Sequence, residues 1–325
     1  MNNPKFKELA TNSSQKMIML LLKAEEKVTQ NNKPYLVFEV SDGDSKVTAK
    51  KWDTKLDEFP FKEGTLIWAE VNVKEYKGAP DYTFGTVMMA PETAKIEDFI
   101  TKAPINAENV FSEILMTVDS FTDTNLGSLI SDILWNNKEK LLYWAAATSN
   151  HHNLHGGLLY HMYRMLQTGK QLSEVYTAVN KDVLLAGIIV HDIGKLKEMH
   201  TEFTGSVEYT VDGTLFGHGI LGILMLEEAY KMNPTVDPEV LAQVKHIIAA
   251  HHGKLEWGAL TKPATLEAFL VHQIDMIDAN VYKFEEITKD MEPGTVSEYV
   301  KHMEGYVYKP LDVKYAEGYT NTPIR

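Results

Sequence analysis

The run Val183–Val190 is apolar on every side of a helix, and it ends in two ionisable residues, His191 and Asp192. A helix that is hydrophobic all round belongs in a core, where an uncompensated imidazole and carboxylate are costly. A divalent cation is the natural compensator: imidazole supplies a lone pair, and a carboxylate supplies charge and can bridge two ions. Further candidate ligands recur on neighbouring segments, with His161 before the pair and His218, His251, His252 and Asp275 after it. The 325-residue chain contains no cysteine, which removes thiolate sites, disulfides and cysteine nucleophiles and leaves His/Asp/Glu chemistry.

Each candidate sits where a helix can aim it inward. His161 follows Gly157-Leu158-Leu159-Tyr160 in the first two turns of an apolar helix, and His218 lies in Gly217-His218-Gly219 just ahead of Ile220–Leu226. His251 completes the stripe Val240, Leu241, Val244, Ile247, Ile248, while His252, rotated about 100°, falls at its margin. Asp275 and Asp278 share one helix face, and periodicity does not choose between them. A lone histidine such as His218 is more often a capping or hydrogen-bonded core residue; the series as a whole carries the argument. His200, His246, His272 and His302 read as structural.

Two domains are expected from the length. Residues 12–95 show five β-rich runs, Met17–Leu22, Tyr35–Val40, Lys46–Trp52, Leu66–Lys74 and Tyr82–Met88, separated by turn signals such as Asp42-Gly43-Asp44. Five short strands in so few residues predict a small closed barrel, OB-like in its turn spacing. Helical periodicity follows: a connector with lead-in helices over 96–150 (Ile96–Ile100, Glu108–Phe121, Leu126–Trp135, Lys138–Ala147), then an α-helical domain over 151–290. Within it, helices are expected near 157–179, 181–192, 215–232, 238–251 and 264–288, with a hairpin or loop at 199–213. Residues 291–325 read as a loosely structured tail.

Net charge is −13, yet residues 1–95 are neutral, with 14 Lys against 14 Asp and Glu. The acidic excess lies in 96–325 and disfavours salt-driven duplex DNA binding, while leaving room for one strand held at metal ions. It also leaves room for a protein partner or a homo-oligomer. Residues Met1–Ala10 carry Lys5, Lys7 and Glu8 without the apolar core of a signal peptide, and no apolar run approaches the roughly 20 residues that span a bilayer. A cytoplasmic location, without membrane contact, is expected.

The order His161…His191-Asp192…Asp275 resembles the HD-domain superfamily of metal-dependent phosphohydrolases. The strings His151-His152-Asn153-Leu154-His155-Gly156-Gly157-Leu158-Leu159-Tyr160-His161, His251-His252-Gly253-Lys254-Leu255-Glu256 and Ile274-Asp275-Met276-Ile277-Asp278-Ala279, with the OB-like barrel, resemble the bacterial YhaM-type 3′→5′ exoribonucleases over about residues 12–290. That resemblance implies a divalent-metal enzyme, commonly manganese-dependent, that shortens single-stranded RNA. It implies His161, His191, Asp192 and Asp275 as ligands, His218 and His251 as the extra ligands of two-metal members, and Asp192 as the bridge. His-Asp-Ile-Gly-Lys also resembles the HD-GYP cyclic-dinucleotide phosphodiesterases, but no Gly-Tyr-Pro loop follows His251-His252-Gly253-Lys254. Gly157 also stands where a carboxylate four residues before His161 would supply a third metal.

Two ions suit phosphodiester hydrolysis because they activate water, bind phosphate oxygens and neutralise the leaving oxygen. His/Asp sites accept Mn, Fe, Co, Ni or Zn, so the residues do not name the metal. Lys195 is placed to approach the scissile phosphate or, equally, to sit solvated at a helix end. His152, with His151 and His155, either orients substrate and protonates the leaving group or forms a polar loop capping the next helix. In the barrel, Trp68 falls on the polar side of its strand, Trp52 shares a side with Lys50, and Tyr82 with Phe84; such rings beside lysines can stack the bases of single-stranded RNA or DNA. The plainer reading is that these rings fill the barrel. Rival functions are a nucleotide or cyclic-nucleotide phosphohydrolase, a diiron oxygenase of the inositol-oxygenase kind and a non-catalytic RNA-binding adaptor.

Overall fold

The computed structural model describes residues 3–76, 79–146, 154–204, 206–289 and 291–311. The chain forms two compact units, Met1–His272 and Gln273–Arg325. The first begins with β1 (Ser14–Val28), β2 (Pro34–Ser41), β3 (Lys46–Trp52), β4 (Leu66–Tyr76) and β5 (Ala79–Met89). These close into a barrel in the order β1-β2-β3-β5-β4, with β3 and β5 parallel and the other neighbours antiparallel. The expected OB-like barrel is present.

The strands form where the side-chain pattern fits a barrel wall. In β4, Ile67, Ala69, Val71 and Val73 are buried in the barrel core, and Trp68, Glu70 and Asn72 alternate to the outside. β1 differs because both its faces are covered. Met17, Met19 and Leu21 point into the barrel, whereas Leu20 and Leu22 pack outside it with Leu66, Phe99 and Ile100. The unbroken Met17–Leu22 run is thus the signature of a strand buried on two sides, and each such side chain contributes about 1.5–3 kcal/mol. A register shift between Leu21 and Lys23 lets β1 continue to Val28 against β2, six residues beyond the predicted end. The turn after β2 needs its glycine: Gly43 has φ +92°, and a Cβ there would lie 2.2 Å from the Asp98 carbonyl oxygen. Buried Asp42 braces that turn, accepting from the backbone N–H groups of Phe6, Asp44 and Ser45 at 2.6, 2.9 and 2.8 Å.

The helices of the rest of the first unit are α1 (Ala107–Asp119), α2 (Thr124–Asn136), α3 (Lys138–Leu141), α4 (Gly157–Val175), α5 (Lys181–Val190), α6 (Lys195–Glu198), α7 (Val211–Met232) and α8 (Pro238–Ala250). A final helix, α9 (Leu266–Lys289), begins in this unit and continues into the second. Between α6 and α7 the predicted hairpin appears as β6 (Met199–Thr201) and β7 (Val207–Tyr209). Helix starts are capped: Asn106, Asp123, Asn180, Thr210 and Asp237 each accept from a first-turn backbone N–H. All eight residues Val183–Val190 are buried, as an all-apolar helix requires.

Three boundaries differ from expectation. The helix expected over Lys138–Ala147 is one turn, after which Trp144 turns inward and is buried. The helix expected to 179 ends at Val175. That expected at 215 starts at Val211 and breaks at Gly217 (φ 66°, ψ 163°), redirecting the chain just before His218. In the second unit, residues after α9 carry two isolated bridges, Val296–Tyr308 and Val300–Gly305, and Val307 is buried. Among the described residues no helix is long and apolar enough to cross a membrane.

Candidate metal centre

Four segments of the first unit converge on Asp192. α4 brings His161, the end of α5 brings His191, the redirected part of α7 brings His218, and the end of α8 brings His251 and His252. Close backbone approach makes this possible: a Cβ on Gly194 would lie 2.0 Å from the His218 carbonyl oxygen, so the turn after Asp192 tolerates only glycine. Gly253 is similarly confined, with φ +76° and the His272 ring against it.

The two carboxylate oxygens of Asp192 face different histidines. Oδ2 lies 3.3 Å from His191 Nε2 and 3.8 Å from His161 Nε2. Oδ1 lies 3.5 Å from His218 Nε2 and 3.7 Å from His251 Nε2. On that second side the ring nitrogens of His218, His251 and His252 lie within 4.8 Å of one another.

The outer nitrogens fix the tautomers. His191 Nδ1 donates to the Ile188 carbonyl at 2.7 Å, and His251 Nδ1 donates to the Ile248 carbonyl at 2.8 Å. His218 Nδ1 donates to Glu198 Oε1 at 3.0 Å. A carbonyl or carboxylate can only accept, so each Nδ1 carries a proton and each Nε2 is turned inward, toward Asp192. Burial, reinforced by the neighbouring imidazoles His191 and His252, pushes His251 well below its ordinary pKa and keeps it neutral.

Asp192 remains ionised in the same place. Burial opposes its charge most strongly, but Lys195, His191 and His218 together hold its carboxyl well below the usual carboxylate range. The Lys195 ammonium donates to Asp192 Oδ2 at 2.7 Å. Two buried polar atoms, His191 Nε2 and Asp192 Oδ1, have no hydrogen-bond partner among the described residues. Inward-turned ring nitrogens, a buried carboxylate and orphaned polar atoms fit a divalent cation, whose coordination would supply the missing partners.

Glu198 was not anticipated from the sequence. It is buried, and its Oε1 also accepts the His218 backbone N–H at 3.0 Å. Burial raises its pKa, but hydrogen bonds and charge from His218 outweigh this and keep it below the ordinary glutamate value. Carboxylates that orient a ligating imidazole in this way tune many metal sites. Of the histidines read as structural, His246 Nε2 accepts from the Ala264 backbone N–H, His272 Nδ1 donates to the His251 carbonyl, and His200 Nε2 lies 2.7 Å from Glu202 Oε1. Asp275 lies one helical turn beyond His272 on α9. His151 and His152 lie outside the described residues.

His155 precedes α4, with its backbone N–H bonded to the Thr101 carbonyl at 3.0 Å. In the barrel, Trp68 is partly exposed on the outer wall with the Lys16 ammonium 5.1 Å from its ring. Trp52 is exposed beside Tyr35, and the Lys50 ammonium lies 5.9 Å from it while also pairing with Asp81 at 2.6 Å. Tyr82 is placed otherwise than a stacking role requires: its ring packs edge-on against buried Phe6 at 5.4 Å, on the barrel core.

Comparison with known proteins agrees with this architecture. A family model described as "HD domain" matches residues 158–280. Among solved structures, the second OB-fold domain of replication protein A from Methanococcus maripaludis aligns with 29% of this chain and 99% of its own, at 16% identity and a TM-score of 0.23, a likeness too weak to carry weight. The chain is similar to proteins named 3′-5′ exoribonuclease YhaM from Oceanobacillus iheyensis (31% identity, 90% of this chain and 92% of the relative) and Halalkalibacterium halodurans (32%, 90% and 91%). The relative of that name from Bacillus subtilis is 31% identical, over 90% of this chain and 93% of its own. An HD domain behind an OB-like barrel, matched along nine-tenths of its length, places this chain in the YhaM family of 3′-5′ exoribonucleases.

Proposed function

We propose that the chain removes nucleotides from the 3′ end of single-stranded RNA in a divalent-metal-dependent reaction, releasing nucleoside monophosphates. The observation that carries this reading is the position of Asp192, with Oδ2 toward His161 and His191 and Oδ1 toward His218 and His251. A carboxylate between two imidazole pairs suits a bridge between two ions, with His252 beside the second pair. Manganese is the metal we favour. When bound, such ions activate water and neutralise charge on phosphate oxygens and leaving group.

The residues of the chain supply the geometry. His191, His218 and His251 hold their rings by Nδ1 hydrogen bonds, so little reorganisation is needed during reaction. Lys195, on Asp192 here, has an ammonium that can turn to the phosphate. His152 is a candidate donor of the leaving group's proton. The barrel holds the strand through Trp68 and Trp52, with Lys50 partly neutralised by Asp81. A neutral barrel gives modest affinity and a shallow salt dependence. A cytoplasmic location fits this role.

The test is 5′-labelled single-stranded RNA incubated with manganese beside a copy blocked at its 3′ end. A ladder shortening from the 3′ end of the free copy only is expected. Internal cleavage, or hydrolysis of free nucleotides with RNA left intact, overturns the reading.

A further inference from the structure

Tyr143, His155 and Phe203 come from three separate segments and meet outside the metal centre. The His155 ring lies 5.0 Å from Phe203, edge to face, and 5.9 Å from Tyr143, and Tyr143 lies 6.1 Å from Phe203. Phe203, at the turn of the β6–β7 hairpin, is 52% exposed, a large apolar ring left open to solvent.

Hydrogen bonds link the trio's segments to the barrel on one side and to the metal centre on the other. On the barrel side, Ser41 at the end of β2 donates to the Phe99 carbonyl at 2.6 Å and lies 3.1 Å from the Thr101 hydroxyl. Residues 101–103 then pair with His155 through two backbone hydrogen bonds of 3.0 Å. On the other side, Trp144, next to Tyr143, donates its indole N–H to the Lys195 carbonyl at 3.0 Å, and Lys195 sits on Asp192.

A cleft of about 370 Å³ shares His155 with the trio and is otherwise lined by Lys102, Asn106, Leu142 and Gly156 among others. Its size is that of small-ligand sites. His155 Nε2 is buried without a hydrogen-bond partner among the described residues. An exposed ring, an unsatisfied ring nitrogen and a lysine together match a nucleotide: a base to stack, a base edge or ribose hydroxyl to bond, and a phosphate to neutralise.

The geometry points to a nucleotide subsite in which Phe203, with Tyr143 and His155, stacks one base of a single strand between barrel and metal centre while Lys102 meets its phosphate. This rests on the reading of the chain as a single-strand RNA enzyme. It adds a defined position in the strand at which a base is required.

The test measures binding of 5′-labelled single-stranded RNA to the full chain in chelator, so that binding is read without turnover. Phe203→Ala weakens binding about 10-fold and Phe203→Tyr restores it. Lys102→Gln lowers the dependence of log Kd on log salt by about 0.7, as loss of one single-strand phosphate contact requires. A purely structural Phe203 would not alter the next measurement. One abasic ribose is walked through the strand; wild type loses affinity at one position, and Phe203→Ala abolishes that position's penalty. Identical abasic profiles in wild type and Phe203→Ala overturn the subsite, whether or not the RNA is degraded. Position-dependent binding without shortening under manganese supports the subsite and refutes the exonuclease reading. Wild type that binds no RNA overturns both.

Discussion

Glu198 grips His218 at two points, accepting its backbone N–H and its Nδ1–H at 3.0 Å each through the same oxygen, Oε1. The carboxylate therefore sets both the tautomer and the orientation of the ring that faces Asp192. Outer partners of metal-ligating histidines are typically worth about 10–100-fold in metal affinity. Glu198→Ala is expected to weaken metal retention by that range, with Glu198→Gln losing less because its carbonyl oxygen can still accept from Nδ1. Competition of each variant against a fluorescent chelator measures it. Unchanged metal affinity in Glu198→Ala would mean that His218 needs no such support.

Asp192→Asn keeps the shape of the central side chain and removes its charge. With the buried anion gone, the imidazole pairs on either side lose the group they share. Metal content should fall and RNA turnover should drop by more than the roughly 100-fold associated with outer-sphere partners. RNA binding, carried by surfaces away from Asp192, should stay within about 2-fold, since distant sites act independently. Elemental analysis, single-turnover assays and binding in chelator separate these effects. Turnover near the wild-type rate would remove Asp192 from the chemistry.

The elements with a strong side-chain period were legible in the sequence. The alternation of Ile67, Ala69, Val71 and Val73 announced β4, and the apolar run ending at His191 announced a buried helix. Glu198 was not legible because a charged residue in a one-turn helix has no periodic signature, and its partner is 20 residues away. The break at Gly217 was hidden by the apolar residues around it, though the paired glycines flanking His218 were its trace. Tyr82 misled because the sequence puts it on one side of its strand with Phe84 without saying which side is inward. The burial of Phe84 in the barrel core decides that.

That distinction gives a comparison between two aromatic residues. Trp68 lies on the outer wall under the Lys16 ammonium, whereas Tyr82 packs with Phe6 and the barrel core. Loss of a stacked base costs about 1–3 kcal/mol, so Trp68→Ala should weaken single-stranded RNA binding by 5-fold or more with little effect on stability. Tyr82→Leu should do the reverse, lowering the unfolding midpoint while leaving RNA affinity within about 2-fold. Fluorescence anisotropy and thermal melting distinguish the two. A Trp68→Ala variant that binds as wild type would show the outer wall to be uninvolved.

His155 supplies a pH dependence whose sign is fixed by its burial. Burial, and then the nearby Lys102 charge, push its pKa down to about 4 from the ordinary 6.5. Above about pH 6.5 the ring is neutral in both folded and unfolded chains and contributes nothing to the pH dependence. Between about 6.5 and 4 the unfolded chain binds a proton that the folded chain refuses, so stability falls as pH falls. Below about 4 the full cost is present. His155→Phe keeps a ring and removes the titration, and of the two ring nitrogens it deletes, Nε2 has no partner to lose among the described residues. The drop in urea unfolding midpoint from pH 7 to pH 5 should therefore be smaller in His155→Phe than in wild type. Equal drops in the two proteins would show that His155 titrates normally in the folded chain. Because the ring is neutral throughout pH 6–8, any pH dependence of RNA turnover in that range must come from other groups.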